Sequence, residues 1–190
     1  MFDPKKLKLK LRSQASKKPE KYYPVTTLKS LGFVRKNCSK CSVYFWTMDA
    51  SKEKCGDPQC SGGFLFLTKQ YTKNKLSYVD TWKRFSSLFK KFDYTPIKRY
   101  STVSRWNPTS DFTLASISAF QPYVVNGEVE PPANPLTIPQ FCLRFSDIDN
   151  VGYTGHYVNF VMIGQHAFVK PKDYDTNRYL HEINTWLTKG

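Results

Sequence analysis

The sequence predicts an α+β fold in which a small cysteine-bearing unit precedes a β-hairpin flanked by amphipathic helices. Three observations carry this. Four cysteines fall in two short-spaced pairs between Cys38 and Cys60. Apolar side chains recur at helical spacing over 77–92 and again over 173–190. Two apolar runs of strand length, FCLRF at 141–145 and YVNFVMI at 157–163, are joined by a polar loop with Asp, Asn and Gly. The 190 residues leave room for one ordinary domain or two small ones. A hydrophobic fraction of 40%, with 16% aromatic residues, is enough for a core and excludes wholesale disorder. No run approaches the roughly 20 apolar residues of a membrane span, and no apolar core follows the N-terminal charges of a would-be signal. The expectation is a soluble, cytoplasmic protein with no membrane partner.

Residues 1–29 form a basic arm. Its first 21 residues hold seven Lys and one Arg against Asp3 and Glu20, which is +6 of the total +14. Lys6 to Leu11 alternates strictly and suits a strand with one apolar face; 12–24 reads as a loop or tether. Such an arm could lie along phosphates or stand as a solvated tail. The net charge favours a polyanionic partner, because each neutralised phosphate releases counterions. RNA, DNA or an anionic surface would serve equally.

Residues 30–67 form the cysteine unit, in the pattern Cys38-x2-Cys41-x13-Cys55-x4-Cys60. A tetrahedral Cys₄ zinc site needs such pairs: each bends in a tight turn so that two thiolates meet one ion, and the intervening segment returns as a hairpin. Val43 to Thr47 alternates like a ribbon strand, and Gly56-Asp57-Pro58 supplies a turn at the second pair. Lys36, Lys40 and Lys54 are expected to lower the thiol pKa values. Two disulfides or four buried thiols are the rivals; zinc is preferred because nothing marks the chain as secreted. With four protein ligands the site is structural. Cys142, inside an apolar run, reads as a small core residue.

Residues 68–190 make the third segment. Over 77–92 the stripe Val79, Trp82, Phe85, Leu88, Phe89 and Phe92 predicts a helix with Ser77 as N-cap and Asp80 three residues on. Strands are expected in IKRYSTV and FTLASISAFQPYVV, separated by the turn Asn107–Ser110, and EPPANPLTIP at 130–139 reads as a stiff extended loop. The tail places Tyr179, Leu180, Ile183, Trp186 and Leu187 on one helical face. No phosphate-cradling glycine loop is present, and His156, His166 and His181 are not at metal-ligand spacing. Polar function concentrates in Arg144-Phe145-Ser146-Asp147-Ile148-Asp149-Asn150-Val151-Gly152. An arginine in an apolar strand needs either an anionic ligand or one of the carboxylates that follow it.

Three blocks, CSKCSVYFWTMDASKEKCGDPQC, ASISAFQPYVVNGEVEPPANPL and LRFSDIDNVGYTGHYVNFVMIGQHAF, together resemble the N-terminal part of archaeal-type alanyl-tRNA synthetase, from about Leu31 to Phe168. The resemblance implies part of a class II synthetase catalytic domain, an antiparallel sheet with flanking helices behind the zinc ribbon. Residues 112–125 look like motif 1 and 141–168 like motif 2. It implies that Arg144 is catalytic, gripping the ATP α-phosphate and the acyl carboxylate. His156 would meet the outer phosphates and Phe160 pack on adenine. Asp147, Asp149, Asn150 and Gly152 would lie in the loop near the acceptor end of tRNA. ATP with Mg²⁺ is then the substrate of the completed enzyme, and alanine-accepting tRNA a partner.

The sequence departs from the family pattern where Arg normally precedes His156, where Val161 stands for Glu, and at Asn107-Pro108-Thr109. The chain reaches Gly190 before any motif 3. The expectation is therefore an N-terminal segment or split subunit whose partner chain supplies motif 3, with little activity alone. The alternative is a non-catalytic paralogue acting as a zinc-containing RNA-binding or assembly module.

Overall fold

The computed structural model describes residues 3–64, 72–146, 148–151 and 158–190. The chain divides into two compact units, Met1–Leu65 with Asp175–His181, and Phe66–Tyr174 with Glu182–Gly190.

The first unit opens with helix α1 (Pro4–Lys17), where the alternation suggested a strand and then a loop. Asp3 caps it by accepting from the Lys5 and Lys6 amides, and Pro4 sits in the first turn, where no N–H is needed. A strand leaves its backbone groups waiting for a neighbour, whereas a capped helix of Lys, Leu and Arg satisfies its own, so the helix wins over the two-residue period. A 3₁₀ turn, Pro19–Lys21, and α2 (Val25–Ser30) follow. Thr27 Oγ1 donates to Asn177 Oδ1 within the same unit. Strands β1 (Val34–Asn37) and β2 (Tyr44–Thr47) pair antiparallel from Val34↔Thr47 to Asn37↔Tyr44. This hairpin brackets the first cysteine pair instead of filling the segment between the pairs, because the turn at 38–43 is itself the hairpin loop. In it Ser42 N donates to Cys38 O and Cys38 N to Val43 O. Cys60 rides on α3 (Pro58–Ser61), capped by Asp57 and ended by Gly62 at φ 93°, a left-handed position glycine adopts without strain.

In the second unit α4 (Tyr78–Lys90) begins as the sequence predicts: Ser77 Oγ accepts from Asp80 N and donates to Asp80 Oδ2 at 2.6 Å. Its buried rings, Phe85 and Phe89, stack at 4.2 Å. A three-stranded sheet follows in the order β3 (Thr95–Pro96), β4 (Leu136–Leu143), β5 (Asn159–His166); β3 is parallel to β4, and β4 antiparallel to β5. The hairpin strands thus exceed the predicted runs. β4 starts at Leu136, inside the stretch expected to be a proline-stiffened loop. Pro139 is tolerated there because β3 pairs only with Leu136 and Thr137, so the missing N–H interrupts no ladder on that side.

The two long strands expected between 94 and 125 do not form. Only β3, a bridge between Val103 and Phe112, and a 3₁₀ turn at Ser116–Phe120 stand there. Gln140 explains part of this. Its side chain accepts from Tyr100 N and donates to Tyr100 O, doing for that segment what a paired backbone would do. The two faces of the sheet carry separate cores. Leu136 and Ile138 pack with Phe120 and Val124 on one, while Ile163 joins Phe85, Phe89, Tyr94 and Trp186 on the other. Helix α5 (Thr176–Lys189) matches the predicted tail; its residues up to His181 go with the first unit and the rest with the second. No helix among the described residues is long and apolar enough to cross a membrane.

Candidate functional site

Two constellations carry chemistry, one in each unit. In the first, the sulfurs of Cys38, Cys41, Cys55 and Cys60 all lie within 4.8 Å of one another. None is in a disulfide, and Cys41 and Cys55 sulfurs are 3.8 Å apart. That separation is the edge of a tetrahedron, about 3.8 Å, whose centre lies ~2.3 Å from each sulfur, the zinc–thiolate distance. The electrostatics agree. The Cys38 thiol is pulled down to about 6 by the Cys55 amide, which donates to its sulfur at 3.3 Å, and then by the Cys41 amide. Burial drives the Cys60 thiol up to about 12. Cys55 is also raised: the Asp57 amide and the Cys60 thiol pull it down, but burial and the Cys38 and Cys41 sulfurs outweigh them. The Cys38 thiolate forms readily while Cys55 and Cys60 resist, and a multivalent cation bound by the set would let them ionise together. The cluster could hold a metal ion, and its donor set suits a soft, tetrahedral one. Of the lysines expected to tune these thiols, Lys40 lowers Cys38 through its backbone amide and not through its charge. Lys36 Nζ donates to Ala50 O and Lys40 Nζ to Gln59 O, and it is backbone amides that lower Cys38.

The second constellation lies on the face of β4 and β5 that carries Ile138. Arg144 follows the last residue of β4 and keeps the register, donating its amide to Val158 O at 2.8 Å. Phe160 pairs with Cys142 across the hairpin, so Arg144, two residues on, reaches it diagonally. The guanidinium lies over the Phe160 ring, 4.8 Å from its centroid, and Nε donates to Leu114 O at 2.8 Å. Among the described residues it meets no carboxylate. Asp149 and Asn150 form a short exposed 3₁₀ turn, Ile148–Asn150. Asp147, Gly152 and His156 lie outside the described residues. Of the predicted nucleotide group, Arg144 and Phe160 therefore come together. Cys142 is buried and its thiol raised chiefly by burial, which suits a core residue and not a nucleophile.

Sequence reasoning missed what holds this face. Ser116, 3% exposed, places Oγ 3.0 Å from His166 Nε2, and its amide donates to Met162 Sδ at 3.3 Å. Gly164 makes the approach possible: a Cβ there would stand 2.5 Å from Ser116 Oγ. A lone glycine in an apolar run signals such a contact, but not its partner. Burial lowers His166 to about 4, so it is neutral at physiological pH. A cavity of about 700 Å³ opens between α4 and residues 96–99, lined by Tyr78, Trp82, Arg99 and Pro139; Arg144 does not line it.

The family model for tRNA synthetases class II (A) matches residues 81–186, which include both strands of the hairpin and most of α5. The chain belongs to that family. The curated relatives agree with this class II assignment. An alanine–tRNA ligase of Methanocella arvoryzae is 44% identical over 192 residues, covering all of this chain and 22% of the relative. One of Methanococcus aeolicus is 45% identical over 80% of this chain and 17% of the relative, and one of Thermococcus kodakarensis 45% over 75% and 16%. The chain spans about a fifth of the length of the curated relatives it matches. The resemblance carried by the three sequence blocks is borne out, and Arg144 and Phe160 lie within the residues that the family model matches.

Proposed function

We propose that this chain furnishes part of an alanine–tRNA ligase: residues 68–190 the ATP- and alanyl-adenylate-binding part of the site, residues 30–67 a structural zinc unit, and 1–29 a basic arm. The setting of Arg144 carries this reading. Nε is fixed by the Leu114 carbonyl, while the Nη groups make no hydrogen bond among the described residues. A guanidinium held at one edge presents the other edge to two oxygens and does not deprotonate. In adenylate formation a carboxylate oxygen of alanine attacks the α-phosphorus, and the bond to the pyrophosphate oxygen breaks. Arg144 would bridge the α-phosphate and the carboxylate, stabilising charge where it develops. Phe160 would offer its ring to adenine, and His156 would meet the outer phosphates, which Mg²⁺ accompanies. Asp147, Asp149, Asn150 and Gly152 would face the acceptor end of the tRNA. The remaining class II machinery, motif 3 included, would come from a further polypeptide segment or a second chain. The Cys₄ cluster would take Zn²⁺ and hold the 38–60 loops.

The test is a chimera in which this chain replaces the matching segment of the Methanocella arvoryzae ligase, measured by alanine-dependent ATP–pyrophosphate exchange. Arg144→Ala is expected to lower kcat/KM by about 10²–10³, the scale of one lost charge-stabilising group. Equal rates for the two chimeras overturn the reading. If the chain bound tRNA but ATP binding were undetectable, the non-catalytic RNA-binding role would replace it.

A further inference from the structure

We propose that α1 is a binding element for double-stranded RNA that grips phosphates on both sides of a stem's shallow groove without reading its sequence. This deepens the ligase reading and rests on it for the identity of the polyanion. Helix α1 carries Lys5, Lys6, Lys8, Lys10, Arg12 and Lys17 and no acidic residue. All six side chains are exposed, and none makes an ion pair or hydrogen bond among the described residues. A cluster of like charge that its own protein leaves unneutralised repels itself and attracts an external polyanion.

The positions matter more than the count. At about 100° per residue, Lys5, Lys8 and Arg12 form one row along the helix and Lys6, Lys10 and Lys17 a second, roughly 140° away. Leu9, 65% exposed, lies in the narrower sector between them. Leu7, Leu11 and Ala15 make the third side, and Ala15, at 4% exposure, is buried against the protein. The apolar side therefore faces inward at its C-terminal end and both cationic rows are free. A helix 14 residues long spans about 21 Å with a width of roughly 10–12 Å. Lying on the wide, shallow minor groove of an A-form stem, it would set one row on each phosphate strand. An anionic bilayer fits less well: an interfacial helix needs a broad, continuous apolar face, and here Leu7 and Leu11, 52% and 47% exposed, lead into the buried Ala15 while Leu9 stands apart between the two cationic rows.

The experiment uses the full chain and an RNA hairpin of about 20 base pairs, with a single strand of the same composition as comparison. Affinity is followed by fluorescence anisotropy from roughly 50 to 200 mM salt. Six phosphate contacts give a slope of log K against log salt near −5, and the duplex is expected to bind at least about fivefold tighter than the single strand. K6Q/K10Q/K17Q should weaken duplex binding at least about tenfold and reduce the slope by about 2 to 3, while K6R/K10R/K17R stays within about threefold of wild type. Helicity of each variant is checked by far-UV circular dichroism; if the glutamine variant loses helix, K5Q/K8Q/R12Q is read instead. Unchanged slope and affinity in the glutamine variant overturn the proposal, as does equal binding of single strand and duplex, or binding to phosphatidylserine vesicles with none to RNA. The chimera's exchange activity separates the two ideas. If it survives while α1 variants bind RNA normally, only the α1 proposal falls; if it is absent while the RNA results hold, only the ligase reading falls.

Discussion

The cysteine unit and the sheet unit are held together by different means. Around Cys38, Cys55 and Cys60 the buried set amounts to three thiols, with the half-buried Phe45 packed on them. The hairpin beside them is four residues a strand, with Thr47 its one buried residue. The sheet unit buries Phe85, Phe89, Phe120, Leu136 and Ile138 on the two faces of an eight-residue pair of strands. A region with so little apolar area gains little from burial to set against its chain entropy, so bonds to an ion held by the four sulfurs would add what burial does not; a region with two aromatic layers has no such need. The comparison teaches that the buried cluster around the ribbon is made of sulfurs, so that a metal there would act on folding.

Four measurements break or sharpen this contrast. The largest effect is expected on chelating metal from the cysteine cluster or removing one of its sulfurs. Structural zinc contributes on the order of 10–16 kcal/mol of apparent binding energy in small domains, so chelation, or Cys38→Ser, should abolish hydrogen-exchange protection in β1 and β2. Protection that survives chelation at Tyr44–Thr47 sinks the contrast. Next comes Phe89→Ala, which empties a fully buried ring site between Phe85 and Tyr94. A loss of about 3–5 kcal/mol in denaturant unfolding of the sheet unit is expected, with little change in metal affinity.

His166 sharpens the contrast through pH. Its folded pKa, about 4, lies below the ordinary 6.5, so the unfolded chain binds the proton more tightly. Stability from the neutral imidazole is present above about pH 6.5 and is lost as pH falls toward 4, by up to about 3 kcal/mol. The difference between wild type and His166→Asn across that window isolates the effect; parallel curves would show that His166 is not held neutral by burial. The smallest effect is expected at Ser77→Ala, which removes the α4 cap for about 1 kcal/mol and should appear as a small drop in the midpoint of the sheet unit alone.

The sequence by itself determined what is decided within a turn or two of chain. The Cys-x2-Cys and Cys-x4-Cys pairs, the Ser77–Asp80 cap and the stripes of α4 and α5 are local patterns, and each is legible because the groups that satisfy it lie close in the sequence. The alternation at Lys6–Leu11 misled for the same reason: a period of two has meaning only beside a partner strand, and Asp3 caps a helix instead. Tertiary structure alone decided the rest. Gln140 bonds to a backbone 40 residues away, Leu114 O holds Arg144 across 30, and Ser116 meets His166 across 50. Such contacts leave single residues in the sequence with no periodic mark, because distant backbone and side-chain groups become partners only when burial removes water as the competitor.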